Sequence, residues 1–267
     1  MRMLWPPFIP DSRANQLKKY AYTSDPGTEN MWLWLCGPQE VAKQVDLLGK
    51  CTPLTVTGES KAQWTHLYHL TRGDESTLTS LCQILKSTLC LTTKPNLDFA
   101  IAFDWYKLVE GDDPMKWPNT ASGALVSQSK YNAPRAVKAK ARNELVDKYV
   151  QTINAHPLYR DCVSIVTVPG HRADGNSFGE QLAAAVATRC QKTLVRTASP
   201  GGARPEAKGG TAEIADGHFT VSGARGDVLI LDDVYRSGTT MNSVAGAAKR
   251  GGATRVFGLA AVRTRRN

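Results

Sequence analysis

The sequence predicts an α/β protein: an open, mostly parallel sheet with helices on both faces, plus an N-terminal α/β extension. Three observations carry this. From Ala136 onward, short β-branched or apolar runs alternate with segments of helical period. Two of those runs end in loops rich in glycine and hydroxyl residues, "TVPGHRADG" and "DDVYRSGTT". Ligands of open α/β sheets bind beyond the carboxyl ends of strands, where such loops lie. Finally, 267 residues with 42% hydrophobic and 21% charged content suffice to bury a core without staples.

Taken in order, the first third is the least periodic. "MWLWLCG" from Met31 reads as a buried strand, and "LDFAIAFDWY" from Leu97 as another. Between them "TLTSLCQILKSTLCL" places Leu78, Leu81, Cys82 and Leu85 at helical spacing. "VEGDDPMKWPNTASG" (109–123) is turn-rich and reads as a connection. From Ala136, "AVKAKARNELVDKYVQTINAH" is a helix with Val137, Leu145, Val146, Tyr149, Val150 and Ile153 on its apolar face. "CVSIVTV" (162–168) is a buried strand. "SFGEQLAAAVATRC" is a helix in which Ser177 and Glu180 close a capping box. "KTLVRT" (192–197) is a short strand, and Ser199 to Gly210 is a loop with no apolar residue larger than alanine. "VLILDD" is a strand, "TTMNSVAGAAKR" a helix ended by Gly251, and "TRVFGLAAV" the last strand.

Composition narrows the function classes. A formal net charge of +9 favours anionic partners: phosphates, nucleotides or nucleic acid. The basic end "RTRRN" fits nucleic acid or a solvated tail equally well. The cysteines at 36, 51, 82, 90, 162 and 190 form no C-x-x-C pair, which argues against a zinc ribbon and for reduced thiols. His66 and His69 lack an acidic or cysteine partner at ligand spacing, so a structural or surface role is expected. The first residues are broken by prolines and make a poor signal peptide, and no run is long enough to span a membrane. A cytoplasmic location is expected.

The stretch "VLILDDVYRSGTT" (228–240) carries the chemistry. Gly238 permits a tight turn and close approach of a ligand. Ser237, Thr239 and Thr240 offer hydroxyls and Arg236 a cation, beside the free N–H groups and positive end of a helix. That is a phosphate cradle. Asp232 and Asp233 precede it. Adjacent strand residues face opposite sides, but at a frayed strand end both carboxylates can reach one crevice. They can accept hydrogen bonds from sugar hydroxyls and help place a divalent cation through water. A ribose 5-phosphate has such groups at such a separation. The competing reading, the acidic strand of a P-loop ATPase, also needs G-x-x-x-x-G-K-[ST] upstream. Here the lone Gly49-Lys50 is followed by Cys51 and lacks the earlier glycine.

The same stretch resembles the phosphoribosyl-pyrophosphate signature of type I phosphoribosyltransferases. "KY" at Lys130-Tyr131, "IVTVPGHRADGNSFGEQLAAAVA", "HFTV" (218–221) and "AAVRT" near the end follow the order of the competence-protein-F-type members. The N-terminal zinc module common in that group is absent. The resemblance covers residues 120–267 as a phosphoribosyltransferase domain and leaves 1–119 as a region of unknown role. It implies that Asp232 and Asp233 hold the ribose hydroxyls and, indirectly, Mg2+. It implies that Arg236, Ser237, Gly238, Thr239 and Thr240 hold the 5-phosphate. Pro169, Gly170, His171 and Arg172 match the pyrophosphate loop, and Arg204 and Lys208 fall in the flexible lid. The implied catalytic set is Asp232, Asp233 and Arg172. The implied activity is pentosyl transfer to a nitrogenous base in nucleotide metabolism. Purine-salvage members carry an acid where Arg236 stands, which argues against that substrate class. The alternative is a non-catalytic sensor or adaptor for the same ligand linked to nucleic-acid processing. A homodimer stays open.

Overall fold

A computed structural model describes residues 14–131, 133–204 and 214–265. In chain order the elements are β1 (Ala14–Asn15), β2 (Lys19–Ser24), β3 (Asn30–Cys36), α1 (Gln39–Leu48), β4 (Thr52–Leu54), β5 (His66–Thr71), α2 (Glu75–Ser87), β6 (Leu89–Leu91) and β7 (Phe99–Trp105). There follow α3 (Ala121–Lys130), α4 (Arg135–Ala155), α5 (Pro157–Arg160), β8 (Ser164–Thr167), α6 (Phe178–Arg189), β9 (Thr193–Val195), β10 (Thr197–Ala198), β11 (Thr220–Val221), β12 (Gly226–Tyr235), α7 (Thr239–Arg250) and β13 (Ala253–Arg263).

The main sheet has seven strands in the order β1-β6-β7-β13-β12-β8-β9. Neighbours from β7 through to β9 are parallel; β1 and β6 add an antiparallel edge. Helices α6 and α7 make the returns from β8 to β9 and from β12 to β13, because parallel strands need a long crossover. Successive strand residues face opposite sides, and the central strands bury both. Leu229, Leu231, Phe257 and Leu259 pack with Tyr149 of α4 and Val186 of α6. Val228, Ile230, Val256 and Ala260 pack with Met241, Val244 and Ala248 of α7. This is why "VLIL" is uniformly apolar: a strand covered on both faces has no solvent side. The predicted α/β architecture with helices on both faces is the one observed.

Ahead of it lies an antiparallel sheet in the order β2-β3-β5-β4. Leu33, Leu35, Tyr68 and Leu70 of that sheet share a core with Val41 and Val45 of α1 and Leu78 and Leu81 of α2. The same core runs on into Phe99, Ile101 and Phe257 of the main sheet. The line drawn from the sequence at 119/120 falls between β7 and α3. Yet β7 lies inside the main sheet, pairing with β13 from Phe99↔Phe257 to Trp105↔Arg263. The sheet therefore crosses that line.

Several elements differ from expectation. The helical run after Thr77 stops at Ser87, and Leu89–Leu91 leave it as β6. Helix α3 begins inside the stretch read as a connection, capped by Thr120, whose side chain accepts from Gly123 N. Val137, expected on the apolar face of α4, is 40% exposed. Strand β12 does not end at the aspartates but continues to Tyr235, because β13 stays paired with it to Arg263. Nor is the basic end wholly a tail. Arg263 is buried and donates to Tyr235 O, and the Arg265 guanidinium lies 4.0 Å from the Trp105 ring centre. His66 and His69 bond to Gly37 O and Asn30 Oδ1. Among the described residues no helix is long and apolar enough to cross a membrane.

Candidate functional site

The site is built where β8 and β12 end and α6 and α7 begin. Asp232 and Asp233 lie within the paired part of β12, not at a frayed end. They still converge. A Cβ placed on Gly179, in the first turn of α6, would lie 3.4 Å from Asp232 Oδ1 and 3.8 Å from Asp233 Oδ1. Asp232 reaches this point by folding its side chain along the strand, where its Oδ1 accepts from Asp233 N at 2.9 Å. Its carbonyl accepts from the buried Tyr149 hydroxyl. Asp233 is buried, and its Oδ2 lies 2.7 Å from Lys130 Nζ at the end of α3. Burial and then the neighbouring Asp233 charge push the Asp232 carboxyl well above the usual carboxylate range, against the pull of Lys130. For Lys130, partial burial is the largest single influence and works against the ammonium, but the Asp233 charge, the hydrogen bond to Asp233 and the nearby Tyr131 and Asp232 together raise its pKa.

Beyond Tyr235 the chain turns into α7. Gly238 sits at the helix N-cap with φ of 73°, and a Cβ there would fall 2.1 Å from the Tyr235 hydroxyl. Only glycine meets both conditions without strain. Because the N-cap has no side chain, no side-chain cap bond closes the helix, and its first N–H groups are open to a ligand. Ser237 Oγ donates to Thr239 Oγ1, and the Ser237, Thr239 and Thr240 side chains ring this end. Arg236 is exposed beside them. Two further cations arrive from elsewhere. Lys94 Nζ donates to Thr239 Oγ1 at 2.9 Å, and Arg204 Nη1 to Thr240 Oγ1 at 3.2 Å.

The start of α6 is built differently. Ser177 and Glu180 form the capping box expected from the sequence. Glu180 Oε2 also accepts from Gly170 N at 3.4 Å, so this carboxylate fixes the Pro169–Arg172 loop against the helix. A Cβ on Gly170 would fall 2.6 Å from Ser177 Cβ. His171 and Arg172 are exposed. Ala173 takes a left-handed φ of 55°, a costly conformation for alanine and one that concentrates at functional loops.

Arg204 joins the two loops. Its Nη2 donates to Pro169 O at 2.7 Å, its backbone N to His171 O at 2.7 Å, and its guanidinium stacks 4.9 Å from the Phe219 ring centre. Burial lowers its pKa, opposed by the charge of Asp232. The segment is placed by β10, which pairs with β11 and is held to β8 by two Thr197–Thr167 hydrogen bonds. Lys208, the other lid cation named from the sequence, lies outside the described residues.

The structure thus gathers Asp232, Asp233, Pro169, Gly170, Arg204 and Ser237 to Thr240 at the carboxyl ends of β8 and β12. Sequence reasoning missed two lysines. Lys130 was visible as part of the "KY" pair but had no assigned role. Lys94 had no sequence signal, since it meets Thr239 across 145 residues.

No family model matches this sequence, and no curated protein matches it. Among solved structures, the chain is similar to an orotate phosphoribosyltransferase from Aeropyrum pernix at 19% identity and a TM-score of 0.31, covering 48% of this chain and 63% of that one. The match therefore spans less than two thirds of that enzyme's length. It is also similar to an adenine phosphoribosyltransferase from Leishmania tarentolae at 14% identity and a TM-score of 0.37, covering 64% of this chain and 94% of that one. A third similar structure is the adenine phosphoribosyl transferase of Trypanosoma brucei in complex with AMP, pyrophosphate and ribose-5-phosphate (14% identity, TM-score 0.35, 66% of this chain and 86% of that one).

Proposed function

We propose that this protein binds phosphoribosyl pyrophosphate in the crevice between β8, β12 and α7. It transfers the phosphoribosyl group to a nitrogenous base in the cytoplasm and releases pyrophosphate. The observation that carries this reading is the pairing of an uncapped, hydroxyl-ringed helix start with a buried carboxylate pair on the strand that feeds it. An anion suits the first and sugar hydroxyls suit the second. Arg236 to Thr240 take the 5-phosphate, and Asp232 and Asp233 the ribose hydroxyls. The Pro169–Arg172 loop takes the pyrophosphate, with Arg204 closing over it.

In the reaction a nitrogen lone pair forms the new bond to ribose C1. The C1–O bond to pyrophosphate breaks, and its electron pair leaves with the pyrophosphate. Positive charge gathers on the ribose ring and negative charge on the leaving group. The residues present suit positioning and electrostatic stabilisation of that charge separation rather than acid–base chemistry. On this reading Arg204, held between Pro169 O and Thr240, and Arg172 of the exposed loop would meet the side where negative charge grows, and the carboxylates the ring. Arg236 stands where purine-salvage enzymes of the resembling family carry an acid, which directs the reading away from purines.

A divalent cation fits this acidic pair in an indirect mode. Asp233 is already compensated by Lys130, and among the described residues no group of three His, Cys, Asp or Glu could hold a metal. Mg2+ keeps most of its waters and needs one or two carboxylates plus substrate phosphates. Asp232 and Asp233 would hold it through water or the ribose hydroxyls, where it would offset charge on the leaving group.

The test is Mg2+-dependent release of pyrophosphate from phosphoribosyl pyrophosphate with a panel of bases, alongside calorimetric binding. Binding with base-dependent release is expected. Binding without release on any base would remove the transfer step, and no binding would remove the reading altogether.

A further inference from the structure

Lys94 lies in the turn between β6 and β7, in the region to which the sequence assigned no role. Its Nζ is held at the start of α7 by the bond to Thr239 Oγ1. The lysine's own contact does not place this turn. Asn96 N donates to Asn242 Oδ1 at 2.9 Å, Asn96 Nδ2 donates to Asn242 O at 3.4 Å, and the Tyr235 hydroxyl donates to Thr92 O at 3.3 Å. Asn242 N in turn donates to Gly238 O at 2.9 Å, within the first turn of α7. The backbone is therefore fastened on one side of Lys94 to the first turn of α7 and on the other to Tyr235, at the end of the strand that leads into that helix.

Electrostatics makes the position informative. A helix N-terminus carries about half a positive charge and repels a cation. Lys94 approaches it from one side and Arg204 from another. Among the described residues Lys94 makes no ion pair that would offset this. Two cations converging on a positive helix end form a stable arrangement when a multiply charged anion joins them.

We propose that Lys94 is a ligand of the 5-phosphate, supplied to the cradle by the β6–β7 turn. This rests on the phosphoribosyl reading and deepens it. The 5-phosphate is then met by α7 N–H groups, by the hydroxyls of Ser237, Thr239 and Thr240, and by an ammonium from the N-terminal half of the chain. That half becomes part of the binding site.

Calorimetry on the full chain tests this, with ribose 5-phosphate and inorganic pyrophosphate titrated separately into wild type, Lys94→Met and Lys94→Arg. A charge-assisted hydrogen bond to phosphate is worth roughly a tenfold change in affinity or more. Lys94→Met should lose that factor for ribose 5-phosphate and keep its affinity for pyrophosphate, while Lys94→Arg should recover most of the loss. Unchanged ribose 5-phosphate affinity in Lys94→Met, or an equal loss for both ligands, would overturn the assignment of Lys94 and leave the phosphoribosyl reading standing. A wild type that binds neither ligand would overturn both.

Discussion

Lys130 Nζ sits 2.7 Å from Asp233 Oδ2, tying the last residue of α3 to the acidic pair on β12. Asp233 is 6% exposed, and this ammonium is the charge that compensates its buried carboxylate. Lys130→Met should leave a buried carboxylate uncompensated and cost about 1–3 kcal/mol. The lysine side chain is itself 36% exposed, which keeps the loss below that of breaking a fully buried pair. Urea unfolding measures it. Asp233→Asn added to Lys130→Met should restore most of the stability, and strictly additive losses would contradict the pairing.

Asp232→Asn and Asp233→Asn together should abolish binding of ribose phosphates while the protein stays folded. The side-chain carbonyl introduced at position 232 could still accept from the backbone N–H of position 233, and Lys130 could turn to solvent. The Asp232 carboxyl is already pushed up by burial and by Asp233, so neutralising it removes a like-charge repulsion. Circular dichroism should match the wild type, and calorimetry with ribose 5-phosphate should give no heat of binding. Wild-type affinity in the double variant would rule out the acidic pair as the sugar site.

Gly238→Ala attacks the other half of the grip. Alanine at φ of 73° is strained, and its Cβ would meet the Tyr235 hydroxyl at 2.1 Å. Left-handed backbone costs a non-glycine residue about 1–2 kcal/mol, and Tyr235 must also leave its bond to Thr92 O. A loss of about 2 kcal/mol or more is expected in thermal unfolding, with loss of phosphate binding. Tyr235→Phe removes the hydroxyl without the backbone strain and should cost less than Gly238→Ala.

What was legible in the sequence follows from where local pattern and tertiary role coincide. Strands β8, β12 and β13 are apolar on both faces, α6 carries its own start signal in Ser177 and Glu180 and α7 its stop in Gly251, so their order could be read. So could the loops at the carboxyl ends of β8 and β12. Helix α3 was not legible, because its buried face is Ser122, Gly123, Val126 and Ser129, small or polar residues with little apolar period. The convergence of Asp232 and Asp233 was expected from fraying, but it comes from the fold of one side chain along a strand that stays paired with β13 past the aspartates. Lys94 and Lys130 could not be placed, since each reaches the site across more than a hundred residues. Such contacts exist only once the sheet has formed.

The same point predicts how the chain behaves when cut. A fragment of residues 120–267 lacks β6 and β7, leaving the β13 edge unpaired. It also removes Phe99, whose ring lies 4.6 Å from that of Phe257 and 5.4 Å from that of Tyr159. An open, flat apolar edge is an aggregation template. The fragment should be insoluble or lack a cooperative unfolding transition, whereas the full chain should unfold cooperatively. A soluble, cooperatively folding fragment would mean that the sheet tolerates the loss of its β7 side.

His156 gives the fold a pH dependence of predictable sign. It is fully buried, stacked 4.1 Å from the Tyr159 ring and 5.5 Å from the Phe99 ring, with Nε2 at 3.1 Å from the Gln44 side-chain oxygen. Burial pushes its imidazole down to about 3, against about 6.5 in an unfolded chain. Between these values the unfolded state binds a proton that the folded state refuses. The stability contribution is complete above about 6.5 and falls as pH drops toward 3, by about 1.4 kcal/mol per pH unit. His156→Phe keeps an aromatic ring in the stack and cannot titrate. Paired with Gln44→Leu, so that no buried amide oxygen is left unpaired, it should flatten this slope relative to wild type. Urea midpoints between about pH 7 and pH 4.5 make the comparison. Parallel curves for the two proteins would mean that the folded state accepts the proton as readily as the unfolded chain does.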